Sequence, residues 1–180
     1  MIHWLTPELH IDSVVELDID RLRELGFDAL LLDVDCTLKN YRSEEVSPAV
    51  AAWLREVEQS GIAICLVSNG GGQRIKMFAE RLGLPFVAQA MKPFPFGALS
   101  AATRLGFPKD RTAMVGDQLF ADIMAGRIAG LRTVLVRPIH PEEEPWFTRI
   151  KRPFERMVLS LTSPKRRRPR EQTGENVPSA

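Results

Sequence analysis

The chain has 180 residues, of which 44% are hydrophobic and 26% are charged, and its formal net charge is +1. This composition predicts one soluble globular domain with a sizeable core. No apolar run reaches the length of a membrane span, and two cysteines are too few for a disulfide framework, so a membrane-embedded chain and a disulfide-stapled one are both excluded.

The predicted elements alternate between helices and strands, and capping residues, prolines and glycines mark their ends. Residues 10–18 are expected to be irregular. In chain order, we then predict a helix at 19–25, a strand at 29–34, a helix at 48–60, a strand at 62–67, a helix at 73–82, a strand at 85–88, a helix at 96–105, a strand at 112–115, a helix at 120–128 and a strand at 132–136. This alternation is typical of a parallel sheet in an α/β fold.

The end of the chain differs in composition from the rest. Apolar residues keep a helical spacing from Phe147 to Leu161, which Pro153 is expected to interrupt. Residues 162–180 are basic and rich in proline, and we predict a disordered tail there after a single domain at 1–161. No signal peptide is visible, so a reduced, cytoplasmic location is expected.

Two carboxylates directly follow the most apolar predicted strand. Three consecutive leucines at 30–32 indicate burial on both faces, and Asp33 and Asp35 come next. Buried carboxylates are costly unless a cationic group lies beside them. The pair therefore favours a functional site, although Asp33 could instead cap the following turn and Asp35 could be solvated.

Polar residues also follow the other predicted strands. Ser68 and Asn69 follow the second, Lys92 comes after the third, and Asp117 follows the fourth. Because parallel strands point their carboxyl ends to one edge of the sheet, we expect these side chains to converge. Oxygen ligands without a cluster of histidine or cysteine favour Mg²⁺ over zinc, and Mg²⁺ often shares its coordination shell with a phosphate.

These segments together resemble the four motifs of the haloacid dehalogenase (HAD) superfamily. The matching segments are Asp33-Val34-Asp35-Cys36-Thr37, Ser68-Asn69, Lys92-Pro93 and Gly116-Asp117-Gln118-Leu119-Phe120-Ala121-Asp122. The resemblance implies a three-layer Rossmann-like fold with a five-stranded parallel sheet of order 3-2-1-4-5. Cys36 is unusual, because the family often has asparagine or glycine at that position, and a small buried filler is the expected role.

The resemblance also implies a role for each site residue. Asp33 would attack phosphorus, and Asp35 would protonate the leaving oxygen and then activate water. Lys92 would neutralise the phosphoryl oxygens and Ser68 would hydrogen-bond one of them. The implied Mg²⁺ ligands are Asp33, the backbone carbonyl of Asp35 and Asp117, while Asp122 would ligate through water or orient that coordination shell. The implied substrate-binding residues are Thr37, Asn69 and Gly70.

The spacing of the motifs leaves no room for a cap domain. A helix and a strand use most of the 33 positions from Asp35 to Ser68 and of the 24 positions from Ser68 to Lys92. An uncapped site suits a large substrate. Outside the motifs, Leu5-Thr6-Pro7 and Phe147-Thr148-Arg149 are similar to the YqeG-type family, whose relatives include phosphatidylglycerophosphate phosphatases.

This similarity implies Mg²⁺-dependent dephosphorylation of phosphatidylglycerophosphate, an anionic phospholipid. Basic residues between positions 149 and 170 could add a peripheral membrane contact, whereas we expect no nucleic acid and no obligate protein partner. Two alternatives stay open: a soluble, broad-specificity phosphatase that acts on nucleotides or sugar phosphates, and a phospho-acceptor signalling domain. The second is disfavoured because such domains lack an acid two residues after the acceptor.

Overall fold

A computed structural model of the chain describes residues 5–143 and 151–162. It contains six strands, namely β1 (Leu9–Ile11), β2 (Ala29–Leu32), β3 (Ala63–Val67), β4 (Phe86–Val87), β5 (Thr112–Gly116) and β6 (Arg132–Val136). The helices are α1 (Ile19–Glu24), α2 (Pro48–Gln59), α3 (Gly72–Leu82), α4 (Phe96–Leu105), α5 (Met124–Ala129) and α6 (Lys151–Thr162). No helix in this part of the chain is both long and apolar enough to cross a membrane.

All six strands are parallel and form one sheet in the order β1-β6-β5-β2-β3-β4. The predicted order of the five predicted strands, which are β2 to β6, is therefore confirmed, but the predicted strand count of five is wrong. The additional strand, β1, overlaps the start of the stretch expected to be irregular, and its Leu9 pairs with Val134. Three residues are too few to show an alternating pattern, so only the pairing with β6 defines this strand.

The two faces of the sheet pack against different helices, as expected for three layers. Leu30 and Leu32 of β2 face the core that α1, α2 and α3 cover. Leu31, between them, faces the smaller core beneath α4 and α5. Both faces are thus buried, which explains why the strand carries three consecutive leucines. No inserted domain interrupts residues 33–92, so the predicted absence of a cap holds.

Two predicted helices differ in detail from the structure. The predicted helix at 120–128 starts as a π-helical turn, Leu119–Ile123, and continues as α5. The last helix runs through Pro153, because a proline in the first turn removes no intrahelical hydrogen bond. Phe147 and Ile150, and the tail from residue 163 onward, lie outside the described residues.

Candidate active site

The site lies at the carboxyl edge of the three central strands β5, β2 and β3. Asp33 follows β2, and its backbone N–H still donates to Val115 of β5 at 2.9 Å, so the strand pairing fixes its position. Asp117 follows β5, and Ser68 follows β3. The predicted convergence of the strand ends is therefore present, and each residue is held by the sheet rather than by a free loop.

Lys92 is the centre of the hydrogen-bond network at this edge. Its ammonium donates to Asp33 Oδ1 at 2.5 Å, to Asp122 Oδ1 at 2.6 Å and to the carbonyl of Val67 at 2.8 Å. Burial alone would lower the pKa of Lys92, but Asp122 and Asp33 outweigh this effect and raise it. The lysine is therefore a permanent, buried positive charge with all three protons engaged.

Three buried carboxylates, two of which pair with Lys92, lie close enough to one another to share an ion. Asp33, Asp117 and Asp122 each offer an oxygen within 4.8 Å of the others. Burial, assisted by the charge of Asp122, raises the pKa of Asp33 to about 7 despite the neighbouring Lys92. Three carboxylates beside one ammonium leave a charge of −2 when all are ionised. Hard oxygen ligands with this excess charge fit a divalent cation.

Gly116 makes room for one member of this cluster. A Cβ atom at this position would lie 2.3 Å from Cγ of Asp122. The wide turn of Leu119–Ile123 returns the Asp122 side chain towards β5, where its Oδ2 accepts the backbone N–H of Gln118 at 3.0 Å. The glycine and the π-helical turn together therefore position the Asp122 carboxylate against Lys92.

Asp35 does not join the carboxylate cluster through its side chain. Its carboxylate accepts from Lys39 Nζ at 2.8 Å and from both terminal nitrogens of Arg74, at 2.8 and 2.5 Å. Burial would raise the pKa of Asp35, but these hydrogen bonds lower it overall. In this arrangement only its backbone carbonyl can serve as the predicted metal ligand, and the carboxylate is held ionised.

The predicted substrate-binding residues are hydrogen-bonded within the protein. Thr37 Oγ1 donates to Asp117 Oδ1 at 3.2 Å, and the N–H of Gly70 donates to Ser68 Oγ at 3.0 Å. The Asn69 side chain bonds both the N–H and the carbonyl of Lys92, at 2.8 Å each. Asn69 thus positions the backbone of the central lysine, and its expected contact with substrate stays a prediction.

Two further site residues, Lys39 and Arg74, are not among those predicted from the sequence. Arg74 occupies the first turn of α3, where the helix dipole disfavours a cation. This placement was a usable signal, because it indicates that an anion lies nearby. Lys39 is buried, which is rare for an unpaired lysine, but burial could not be seen from the sequence.

Cys36 has a left-handed backbone conformation. Its φ is +65°, and the side chain is fully buried. Asparagine and glycine tolerate this conformation better than other residues do, which gives a physical reason for their use at this position in the resembling family. The buried-filler interpretation of Cys36 is consistent with this placement.

Comparison with known proteins agrees with the geometry. Residues 5–130 match the haloacid dehalogenase-like hydrolase family. A relative from Bacillus subtilis (strain 168), named as a probable phosphatase, YqeG, is 30% identical over 87% of this chain and 91% of its own length. The chloroplastic phosphatidylglycerophosphate phosphatase 1 of Chlamydomonas reinhardtii is 29% identical over 78% of this chain, which spans about half of that relative (55%).

A solved structure extends the likeness to the fold. The deoxy-D-mannose-octulosonate 8-phosphate phosphatase YrbI of Haemophilus influenzae superposes with a TM-score of 0.53 over 77% of this chain and 90% of its own, at 13% sequence identity. At this identity, the comparison supports a shared fold alone.

Proposed function

This chain belongs to the haloacid dehalogenase-like hydrolases and is a phosphatase, and from that premise we propose that it removes the terminal phosphate of phosphatidylglycerophosphate. The buried contact between Asp33 and Lys92 carries the proposal, because it gives a nucleophile beside a fixed positive charge. Relatives that bear this activity in their names support the lipid substrate.

The proposed reaction has two displacements. An Asp33 oxygen attacks phosphorus while the bond to the alcohol oxygen breaks, and Asp35 gives that oxygen its proton. Asp35 then takes a proton from water, whose oxygen attacks the phosphorus of the aspartyl-phosphate and releases inorganic phosphate. Because Asp35 is ionised in the present arrangement, it must first gain a proton as the substrate binds. Lys92 neutralises charge on the transferred group throughout.

The proposed metal ion is Mg²⁺. Its ligands would be the carboxylates of Asp33 and Asp117 and the backbone carbonyl of Asp35, with Asp122 ligating through water or orienting that coordination shell. When bound, the ion would supply positive charge to the phosphoryl oxygens. The donor set consists of oxygens and is buried, as Mg²⁺ prefers.

We expect millimolar Mg²⁺ to raise the melting temperature, and more at pH 8 than at pH 6. The pKa of Asp33 lies near 7, above its value in the unfolded chain, so Asp33 keeps a proton below that pH. This proton must leave before the ion binds, and metal-linked stability is therefore present above pH 7 and shrinks as the pH falls. At a hundredfold excess over Kd the gain is about 2.7 kcal/mol.

Scanning calorimetry at both pH values would measure the effect, with KCl of equal ionic strength and the Asp117→Asn variant as controls. The two controls should show little or no shift. If KCl raised the melting temperature as much as Mg²⁺, or if Mg²⁺ raised it more at pH 6 than at pH 8, the result would contradict the proposed site.

An apolar rim beside the site supports a membrane-borne substrate. Met91, Phe94 and Phe96, on either side of Lys92-Pro93, are each more than half exposed. The rings of Phe94 and Phe96 stack with their centroids 6.1 Å apart. Apolar side chains that cluster on a surface mark interaction sites more often than scattered ones do. These three side chains could enter the acyl-chain region of the bilayer while the phosphorylated headgroup of the lipid reaches Asp33. The basic C-terminal segment could add electrostatic attraction to anionic lipids.

We expect kcat/KM for phosphatidylglycerophosphate in vesicles to exceed that for nucleoside monophosphates and sugar phosphates at least about tenfold. The reason is that the uncapped site gives a small soluble ester little to bind beyond its phosphate. A phosphate-release panel with Mg²⁺ measures this ratio. Equal or faster turnover of the soluble esters would favour the alternative, a soluble broad-specificity phosphatase.

A double substitution, Phe94→Ser with Phe96→Ser, tests the apolar rim within the same panel. It should reduce turnover and sedimentation with anionic vesicles but leave turnover of soluble esters unchanged. Met77→Ser, at an exposed methionine on α3, is the matched control and should have no effect on either substrate class. If the double variant lost turnover equally with vesicles and with soluble esters, the apolar rim would have no specific role in binding the lipid substrate.

A further inference from the structure

We propose that Arg74 recognises a second anionic group of the substrate, a phosphate a few bonds away from the one that is removed. This inference rests on the proposed function, because it assumes that the departing phosphate lies against Asp33 and Lys92. It assigns Arg74 as a specificity-determining residue for substrates that carry two phosphates.

The guanidinium of Arg74 lies at the entrance of the site and is accessible. It forms a two-pronged contact with Asp35, at 2.8 and 2.5 Å, while 44% of its side chain remains exposed. Its Cζ lies 6.0 Å from the centre of the Tyr41 ring. A guanidinium has five N–H donors, of which this carboxylate takes two, so donors remain for an incoming anion.

The charges around Asp35 do not balance. Lys39 and Arg74 both pair with this single carboxylate, which leaves the group with a net charge of +1. The Lys39 side chain is 2% exposed and lies over the ring of Phe78, so it cannot turn outward. Lys39 is sufficient to neutralise Asp35, and Arg74 therefore supplies the excess positive charge that faces solvent.

Arg74 also adjoins the pocket expected for the phosphate. A Cβ atom on Gly70 would lie 2.4 Å from Nη2 of Arg74, so the guanidinium rests directly against this backbone. The same Gly70 donates its N–H to Ser68 Oγ at the end of β3. One turn thus borders both the predicted phosphoryl contact at Ser68 and the guanidinium. Two phosphates joined by a short alcohol could reach Asp33 and Arg74 together.

The ion pair between Arg74 and Asp35 is weak enough for Arg74 to change partners. Half-exposed ion pairs are weak in water, whereas a planar guanidinium binds phosphate oxygens in the same two-pronged geometry that it uses for a carboxylate. A substrate phosphate can therefore replace Asp35 as the partner of Arg74, and Lys39 keeps Asp35 paired while this happens.

Two soluble esters that differ by one phosphate test the proposal without a lipid. For Arg74→Gln, we expect kcat/KM for glycerol 1,3-bisphosphate to fall at least about tenfold relative to that for glycerol 3-phosphate, through a higher KM. An effect of the substitution that acts through Asp35 alone changes kcat/KM for both esters equally, so it cancels in the ratio of the two values. Arg74→Lys should retain part of the preference, because it keeps the charge and loses the two-pronged geometry.

Arg81→Gln is the matched control, since Arg81 lies on the same helix α3 and pairs with Glu44 at 3.0 Å. It should leave the ratio unchanged. An unchanged ratio in Arg74→Gln, or an equal change in Arg81→Gln, would overturn the assignment.

A binding measurement separates this inference from the proposed function. In the Asp33→Asn background, calorimetric titration should show that the bisphosphate binds more tightly than the monophosphate, and that Arg74→Gln removes the difference. If the wild-type protein does not hydrolyse phosphatidylglycerophosphate in vesicles in the presence of Mg²⁺, the proposed function fails, while the binding difference between the two esters still decides the role of Arg74. Equal binding of both esters with Arg74 present refutes that role.

Discussion

Asp33→Asn should reduce Mg²⁺-dependent phosphate release by at least about a thousandfold, because the amide cannot form the covalent intermediate. The variant should nevertheless fold. The pKa of Asp33 is raised to about 7 by burial, so the folded state loses stability as the pH rises from that of the unfolded carboxyl, near 4, through 7. Without a divalent cation at pH 8, Asp33→Asn should therefore melt at the same temperature as the wild type or higher.

Asp28→Asn provides the matched control for this prediction. Asp28 immediately precedes β2, at the opposite end of the strand from Asp33, and pairs with Arg111 at 2.5 Å. The same chemical change at this position should leave turnover unaltered. Steady-state phosphate release and thermal melting of both variants test the predicted turnover and stability. Appreciable turnover in Asp33→Asn would mean that another residue is the nucleophile.

Lys92→Met should abolish turnover and also destabilise the fold by about 3–5 kcal/mol. Removing the ammonium leaves Asp33 and Asp122 buried without their shared partner, and the carbonyl of Val67 loses its donor. A loss of this size should lower the melting temperature by about 10 °C or more. Denaturant unfolding without metal measures the free energy directly.

A second substitution separates the two effects of Lys92→Met. Adding Asp122→Asn removes one of the unpaired charges, so the double variant should recover part of the lost stability but no turnover. Lys76→Met, at an exposed lysine that pairs with Glu80 at 3.8 Å, should cost less than about 1 kcal/mol. If Lys92→Met were as stable as Lys76→Met, the network around Lys92 would not contribute as the geometry implies.

The sequence predicts those features that depend on neighbouring residues or on strand polarity. The leucine run at 30–32 indicates a doubly buried strand, and parallel strands bring Asp33, Ser68 and Asp117 to one edge. These predictions succeed because a short stretch determines the burial of a strand, and the common direction of parallel strands determines where their ends lie.

The features that the sequence does not predict depend on distant contacts. Arg74 and Asp35 are 39 positions apart, and only the packing of α3 against the loop after β2 brings them together. The partners of the two acids of the first motif, Lys92 for Asp33 and Lys39 with Arg74 for Asp35, likewise depend on the folded chain. The local pattern shows two equivalent carboxylates, and their environments make them different.

The position of β1 has a consequence for how the chain folds during synthesis. β1 adds to β6 at the edge of the sheet, and Glu8 pairs with Arg132 across 124 positions. A nascent chain therefore carries β1 without a neighbour while β2 to β5, and every strand end that bears a site residue, leave the ribosome. The earliest strand to be made is the last that can dock, so the centre of the sheet can assemble first and its edge closes afterwards.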